Sequence, residues 1–360
     1  MPFKLNGQSF SKTTLKQYAE QLLATELQGW ERDLFQFIKD WLSDDEYITV
    51  HTSGSTGNPK AIKLNKKQVR NSALMTANYL GLGENSNALL SLSANYIAGK
   101  MMIVRAIENE WHLWTTEPSN KPLDIIAPDL QIDLVAWVPS QLQAMLDLND
   151  PEFDTRIQRI GTIILGGSPV LPLLTERLRT FPNRVFETFG MTETISHIAM
   201  RRLSGPEAQN TFETTDPDII LGQDDRDCLV IVAPALAHQP VVTNDIVEVK
   251  DDRHFRWLGR VDNVVNSGGI KLFPEELERK IQPLIAQRFF LTGISDAQLG
   301  QKLILVLENP ELDPKEIEHL KETLRTALTR YEMPREIVTI SQFEETATHK
   351  VNRTETLKKL

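Results

Sequence analysis

Between residues 52 and 60 the chain crowds hydroxyl side chains, two glycines and a lysine into one short stretch: Thr52, Ser53, Gly54, Ser55, Thr56, Gly57, Asn58, Pro59 and Lys60. Such a loop offers backbone N–H and O–H donors at close approach, which suits an anionic triphosphate. It is not a P-loop, because the G-x-x-x-x-G-K-[ST] spacing is not met and AIKL after it reads as a strand rather than a helix. Taken alone, the segment also fits a plain Ser/Gly turn.

A phosphate-binding loop needs rigid elements on either side, and the surrounding sequence predicts them. Residues 14 to 28 and 30 to 42 carry apolar side chains at helical spacing, giving two amphipathic helices. From Tyr47 onward short β-rich runs (YITVH, ALLSLS, WHLW, IDLVAWV, IGTIILGG, RVFETFG) alternate with helical ones such as NKKQVRNSALMTANYL and AGKMMIVRAIEN. That alternation predicts an α/β domain with a helix-covered, mostly parallel sheet. Between Leu203 and Asp227 turn-forming residues dominate, after which LVIV, PVVT, DIVEVK and HFRWLG predict a β-rich subdomain. After Gly259 a glycine-bearing connection leads into an α+β region of about 100 residues, an ordinary size for a small domain. The expected division is 1–259 for the large domain and 260–360 for the small one, with the boundary near Arg260 to Asn263.

Composition narrows the chemistry. The 360 residues include 39 Lys+Arg and 49 Asp+Glu, a net charge of −10, and the basic residues form no dense run. A surface for long nucleic acid is therefore not expected. No stretch approaches the roughly 20 apolar residues of a membrane span. The N-terminal MPFKLNGQSF lacks the basic and apolar regions of a secretory signal, and the single cysteine, Cys228, has no internal disulfide partner. A cytoplasmic protein acting on small molecules is the expectation.

The loop TSGSTGNPK resembles the phosphate-binding signature of the adenylate-forming superfamily of acyl-CoA synthetases, peptide-synthetase adenylation domains and luciferases. The superfamily's other motifs have counterparts here in the same order. Gly166, Gly167, Ser168 and Pro169 resemble its adenine and acyl-pocket segment, and Phe189-Gly190-Met191-Thr192-Glu193-Thr194 its aromatic-G-x-T-E motif. Asp245 stands where the ribose-binding aspartate of T-G-D would be, with Asn244 in place of the glycine. Gly259-Arg260-Val261-Asp262 is similar to the hinge G-R-x-D, and Ser267 to Glu278 to the G-G-x-x-x-x-P-x-E-[IL]-E run. Thr348-His349-Lys350-Val351-Asn352-Arg353 resembles the T-G-K-[IV]-x-R stretch of the catalytic lysine, with His349 replacing glycine.

The resemblance implies an ATP-dependent acid–thiol ligase using ATP, Mg²⁺ and CoA. Glu193 would be the Mg²⁺ ligand, Thr192 would point a hydroxyl toward phosphate, Phe189 would face adenine and Arg260 would lie near the nucleotide. Lys350 would be the adenylation lysine, Asp262 the pivot, and Gly268 and Gly269 would line a path for the thiol. Only about 50 residues precede the phosphate loop, which argues against a long fatty-acid tunnel. SLSANYIAGKMMIVRAI and TETISHIAMR are similar to segments of the o-succinylbenzoate–CoA ligases of the menaquinone pathway, with Tyr96 where histidine is common. An acid of that kind needs a cation for its non-reacting carboxylate, and Lys100, Arg105, His197 and Arg201 are the candidates, Lys100 first because it follows Gly99. The alternatives are another aryl- or short-chain acyl-CoA ligase, or a non-catalytic nucleotide-binding relative.

Overall fold

The computed structural model describes residues 2–51, 61–119, 121–124, 127, 129–308, 312–345 and 351–360. The two amphipathic helices fall at Lys12–Leu23 (α1) and Gly29–Trp41 (α2), and they pack together at the edge of the core. Ahead of them Phe3–Leu5 and Gln8–Phe10 form a hairpin whose two turn residues, Asn6 and Gly7, both have positive φ. An Asn-Gly pair is the strongest short-range signal for that turn.

Among the described residues one sheet has thirteen strands. Its parallel part runs through Phe3–Leu5, His112–Thr115, Asn87–Leu90, Ile132–Trp137, Ile160–Leu165 and Arg184–Gly190. Successive side chains of these strands serve opposite faces. Leu134 and Ala136 pack on Lys66–Leu80 (α3) and Ile97–Glu108 (α4). Val135 and Trp137 pack on the helices Pro139–Asp147, Pro151–Ile157 and Pro172–Leu178. Helices thus cover both faces, as the alternation requires.

The expected helix-covered parallel sheet and β-rich part are both present, and the two are joined in one sheet. From Arg184–Gly190 the sheet continues antiparallel through His197–Arg202, Phe212–Thr214, His254–Arg260, Val241–Val249, Cys228–Val232 and Ile220–Gln223. The β-rich part is therefore an extension of the same mixed sheet, and PVVT and DIVEVK fuse into one nine-residue strand. Tyr47–His51 and Ala61–Asn65 stand apart as a two-stranded antiparallel pair that brackets residues 52–60.

Beyond Arg260 a five-stranded sheet, with the helices Pro274–Ile281 and Pro314–Leu324, builds its own apolar clusters, one around Val265, Leu305 and Leu324 and one around Phe290 and Phe343. Among the described residues no helix is long and apolar enough to cross a membrane.

Candidate active site

Ligands of α/β sheets collect at the carboxyl ends of parallel strands. Two of the sequence motifs lie there on neighbouring strands. Gly166-Gly167-Ser168 follows Ile160–Leu165, and Phe189-Gly190 ends Arg184–Gly190, with Leu165 opposite Glu187 in register. Gly167 adopts φ +85°, a left-handed conformation that suits glycine, and a Cβ on Gly166 would sit 2.6 Å from the Thr188 hydroxyl. Phe189 is half-buried. It packs edge-on against Phe255, with centroids 5.0 Å apart, and leaves part of its ring open.

Thr192, Glu193 and Thr194 form a single 3₁₀ turn directly after that strand. Glu193 is exposed on it. The turn ends in strain: buried Ile195 has φ +68° and ψ −59°, and the Ser196 N–H donates to the Thr194 carbonyl at 2.7 Å. That is a γ-turn of the rare, strained hand, here on a β-branched residue. The fully buried Thr194 hydroxyl holds it, accepting from the Met191 N–H at 3.1 Å and lying 3.0 and 2.9 Å from the Met191 and Ser196 carbonyls. The turn folds Ser196 and His197 back behind Gly190, so closely that a Cβ on Gly190 would overlap the Ser196 carbonyl.

Asp245 lies in Val241–Val249 opposite Arg260. Its Oδ1 accepts from Trp257 Nε1 at 2.9 Å and its Oδ2 is 3.4 Å from Arg260 Nη1, so the carboxylate is fixed in orientation while each oxygen keeps a second lone pair. Asp262 lies on the 3₁₀ turn Val261–Asn263 and is exposed, 3.8 Å from Arg260. Gly268 and Gly269, with φ +58° and +84°, form the two-residue turn between Val265–Ser267 and Ile270–Leu272, which alone accounts for both glycines. Thr52, Ser53, Gly54, Ser55, Thr56, Gly57, Lys60 and Lys350 lie outside the described residues. The chain resumes beside the site, however: Val351 and Arg353 share a cavity of about 390 Å³ with Pro169 and Val170.

The four candidate cations have different surroundings. Arg201 and Glu187 form a buried pair, 2.5 Å apart, and Glu187 also accepts the Val170 N–H at 2.9 Å. Arg201 therefore braces the loop after Ser168 instead of offering a free charge. Lys100 donates to the Ala94 carbonyl at 2.5 Å and lies 4.8 Å over the Phe37 ring of α2. Burial pulls its pKa down against the fields of Asp33 and Asp40. Lys100 thus faces α2, and Tyr96, its neighbour at the start of α4, is 57% exposed. Neither geometry supports the acid-pocket ranking that the sequence suggested.

Arg105 is different. It is 2% exposed; its guanidinium lies 3.7 Å from Met102 Sδ and a long 3.4 Å from Ser196 Oγ, and Nε has no partner among the described residues. Burial pushes its guanidinium down to about 9. Ser196 in turn has Ser72 Oγ 2.7 Å from its Oγ, and beside it Thr76 Oγ1 lies 2.9 Å from His197 Nε2. Thr76 spends its proton on the Ser72 carbonyl, so His197 must donate from Nε2 and leave Nδ1 bare. Burial, then the Arg105 charge, hold His197 well below its ordinary pKa, so the ring is neutral and cannot be the anion's counter-charge. A buried guanidinium without a carboxylate partner is costly unless an anion completes it. The link from Arg105 to the Phe189–Glu193 motif runs through Ser196, three residues beyond Glu193 in the chain.

Among the described residues no group of three or more His, Cys, Asp or Glu is arranged to hold a metal ion. A Mg²⁺ that reaches a site with substrate phosphates needs only one or two protein carboxylates, and the exposed Glu193 meets that requirement.

This combination of mixed sheet, strand-end loops and ordered motifs defines a nucleotide-binding α/β enzyme. The AMP-binding enzyme family matches residues 7–219, more than half of the sequence, and the chain belongs to that family. A solved structure of an acyl-CoA synthetase (AMP-forming)/AMP-acid ligase II-like protein from Dyadobacter fermentans is 36% identical, spanning 97% of this chain and 98% of that one at a TM-score of 0.64. The 2-succinylbenzoate–CoA ligases of Geobacillus sp. (strain WCH70) and Bacillus subtilis (strain 168) are 23% and 22% identical, covering 91% and 98% of this chain and 72% and 76% of their own lengths. The o-succinylbenzoate CoA synthetase of B. subtilis, solved with its acyl-adenylate intermediate, shares the fold at a TM-score of 0.68 and 20% identity, over 85% of this chain and 68% of that one.

Proposed function

We propose that the chain is an AMP-forming acid–thiol ligase that adenylates 2-succinylbenzoate with ATP and passes the acyl group to CoA, as a step of menaquinone biosynthesis. The observation that carries the dicarboxylate reading is Arg105, buried with no counter-ion among the described residues and reaching Ser196, three residues past Glu193. The names of the relatives support the same acid.

In the first half-reaction an oxygen of the reacting carboxylate attacks the α-phosphate and pyrophosphate leaves. Negative charge builds on the phosphate oxygens, so placed cations and donors do more than an acid/base pair could. The Thr52–Lys60 loop would take the leaving phosphates, the Thr192 hydroxyl would face the transferred phosphate, and Lys350 would offset its charge. Glu193 would hold Mg²⁺, which supplies further neutralisation there. The open part of the Phe189 ring would receive adenine, and the free lone pairs of Asp245 the ribose hydroxyls. Arg105 would fix the second carboxylate, with Ser72 and Ser196 as hydroxyl donors. In the second half-reaction the 260–360 region would turn about Asp262 and bring Gly268 and Gly269 to the thiol path.

Thioester formation with ATP, Mg²⁺ and CoA, compared over 2-succinylbenzoate, benzoate and a short fatty acid, tests this. A charged pair in a desolvated pocket contributes about 2–3 kcal/mol, so 2-succinylbenzoate should exceed benzoate by about 100-fold in kcat/KM. Equal use of benzoate would overturn the dicarboxylate reading and leave an aryl- or short-chain ligase.

A further inference from the structure

Glu278, the last glutamate of the P-x-E-[IL]-E run, meets Arg353, the arginine of the T-H-K-V-N-R stretch, in a largely buried ion pair at 2.9 Å. Both grip the same residue of the strand between them. Glu278 Oε1 accepts the Leu291 N–H at 2.7 Å, and Arg353 Nη1 donates to the Leu291 carbonyl at 3.1 Å. Arg353 also lies 5.5 Å over the Phe290 ring, and Val351 packs against the cluster of Phe290, Ile304 and Phe343. Asn352 caps the short helix that Arg353 begins. The three residues after Lys350 are therefore each tied down, and the charge pair is the tie that crosses to the Pro274–Ile281 helix.

Stability is a poor explanation for that pair, because an apolar pair of similar volume would serve at least as well. Burial pushes the Glu278 carboxyl up to about 7, against the pull of Arg353 and the Leu291 N–H, with Glu275 on its own helix adding to the rise. Arg279 and Arg288 line the adjoining cavity. We propose that Glu278 is a positioning residue for the adenylation step: by holding Arg353 against the Leu291 backbone it fixes Val351, Asn352 and Arg353, the residues that follow the adenylation lysine in sequence. The proposal rests on the reading of Lys350 as the adenylation lysine.

The test compares Glu278→Gln, Arg353→Lys and Lys350→Ala with the wild type in two separate half-reactions: pyrophosphate release from ATP and 2-succinylbenzoate without CoA, and thioester formation from supplied acyl-adenylate. A misplacement of the order of 1 Å costs up to about 100-fold, so Glu278→Gln should slow the first step about 10- to 100-fold, with little change in KM for ATP or in the second step. In the wild type the first step should rise as pH passes upward through about 7 and Glu278 ionises, and Glu278→Gln should abolish that rise. If Glu278→Gln does not fold, Arg353→Lys is read in the same way. Parallel losses in both half-reactions, or none in the first, overturn the proposal. A selective loss in Lys350→Ala alone would sink this inference and spare the lysine reading. No selective loss in Lys350→Ala would sink both.

Discussion

Arg201 and Arg105 are both buried guanidinium groups, and what sets their tasks apart is that Arg201 is paired with Glu187 while Arg105 has no carboxylate partner among the described residues. Removing one member of a buried pair leaves the other charge stranded at a cost of about 3–5 kcal/mol. Arg201→Ala should therefore lower the thermal unfolding midpoint by many degrees, and loss of acid affinity without loss of stability would contradict its bracing role. Arg105→Lys keeps a charge but loses the planar fork, and it should raise KM for 2-succinylbenzoate about 10- to 100-fold while KM for ATP stays unchanged. An unchanged acid KM would remove Arg105 from the pocket. All four candidate cations were visible in the sequence, but their order was not. Lys100 and Arg105 are five residues apart on α4, which turns them about 140° away from each other, so only one can face the Ser196 side. Which one does depends on α2 and α3 packing against the helix, and Gly99 beside Lys100 reports something else: a Cβ there would overlap the Ser93 carbonyl.

Periodicity located most of the regular elements that carry the site, including α3, α4 and the strands ending at Leu165 and Gly190. It could not say in which order strands pair, because side-chain period records burial and not neighbours, so the continuity of the β-rich part with the main sheet was not legible. The Phe3–Phe10 hairpin is legible from Asn6-Gly7. The strained turn at Ile195 was not legible, since no residue preference favours isoleucine at positive φ. It exists because Thr194 over-determines it, which leads to a direct expectation. Thr194→Val keeps the shape but strands the Met191 N–H and the Ser196 carbonyl, a loss of about 1–3 kcal/mol. Chemical denaturation should show that loss, and adenylation should fall further than stability alone explains. Wild-type adenylation in a folded Thr194→Val protein would show that the γ-turn does not serve the site.

At the scale of the whole molecule, the proposed cycle needs the region beyond Arg260 to present Lys350 first and the Gly268-Gly269 turn afterwards. Val351 and Arg353, which follow Lys350 in the chain, line a cavity with Pro169 and Val170, while the glycine turn is exposed, an arrangement that suits the first step. Proline at 262 would fix φ near −65° at the proposed pivot, so Asp262→Pro should retain pyrophosphate release and lose thioester formation. Unimpaired overall turnover in that variant would move the pivot elsewhere. The most direct measurement is to mix the protein with ATP, Mg²⁺ and 2-succinylbenzoate in the absence of CoA and identify the products by mass. The account predicts pyrophosphate and an enzyme-bound succinylbenzoyl-adenylate formed in equal amounts, whereas ADP and phosphate, or no consumption of ATP until CoA is added, would contradict it.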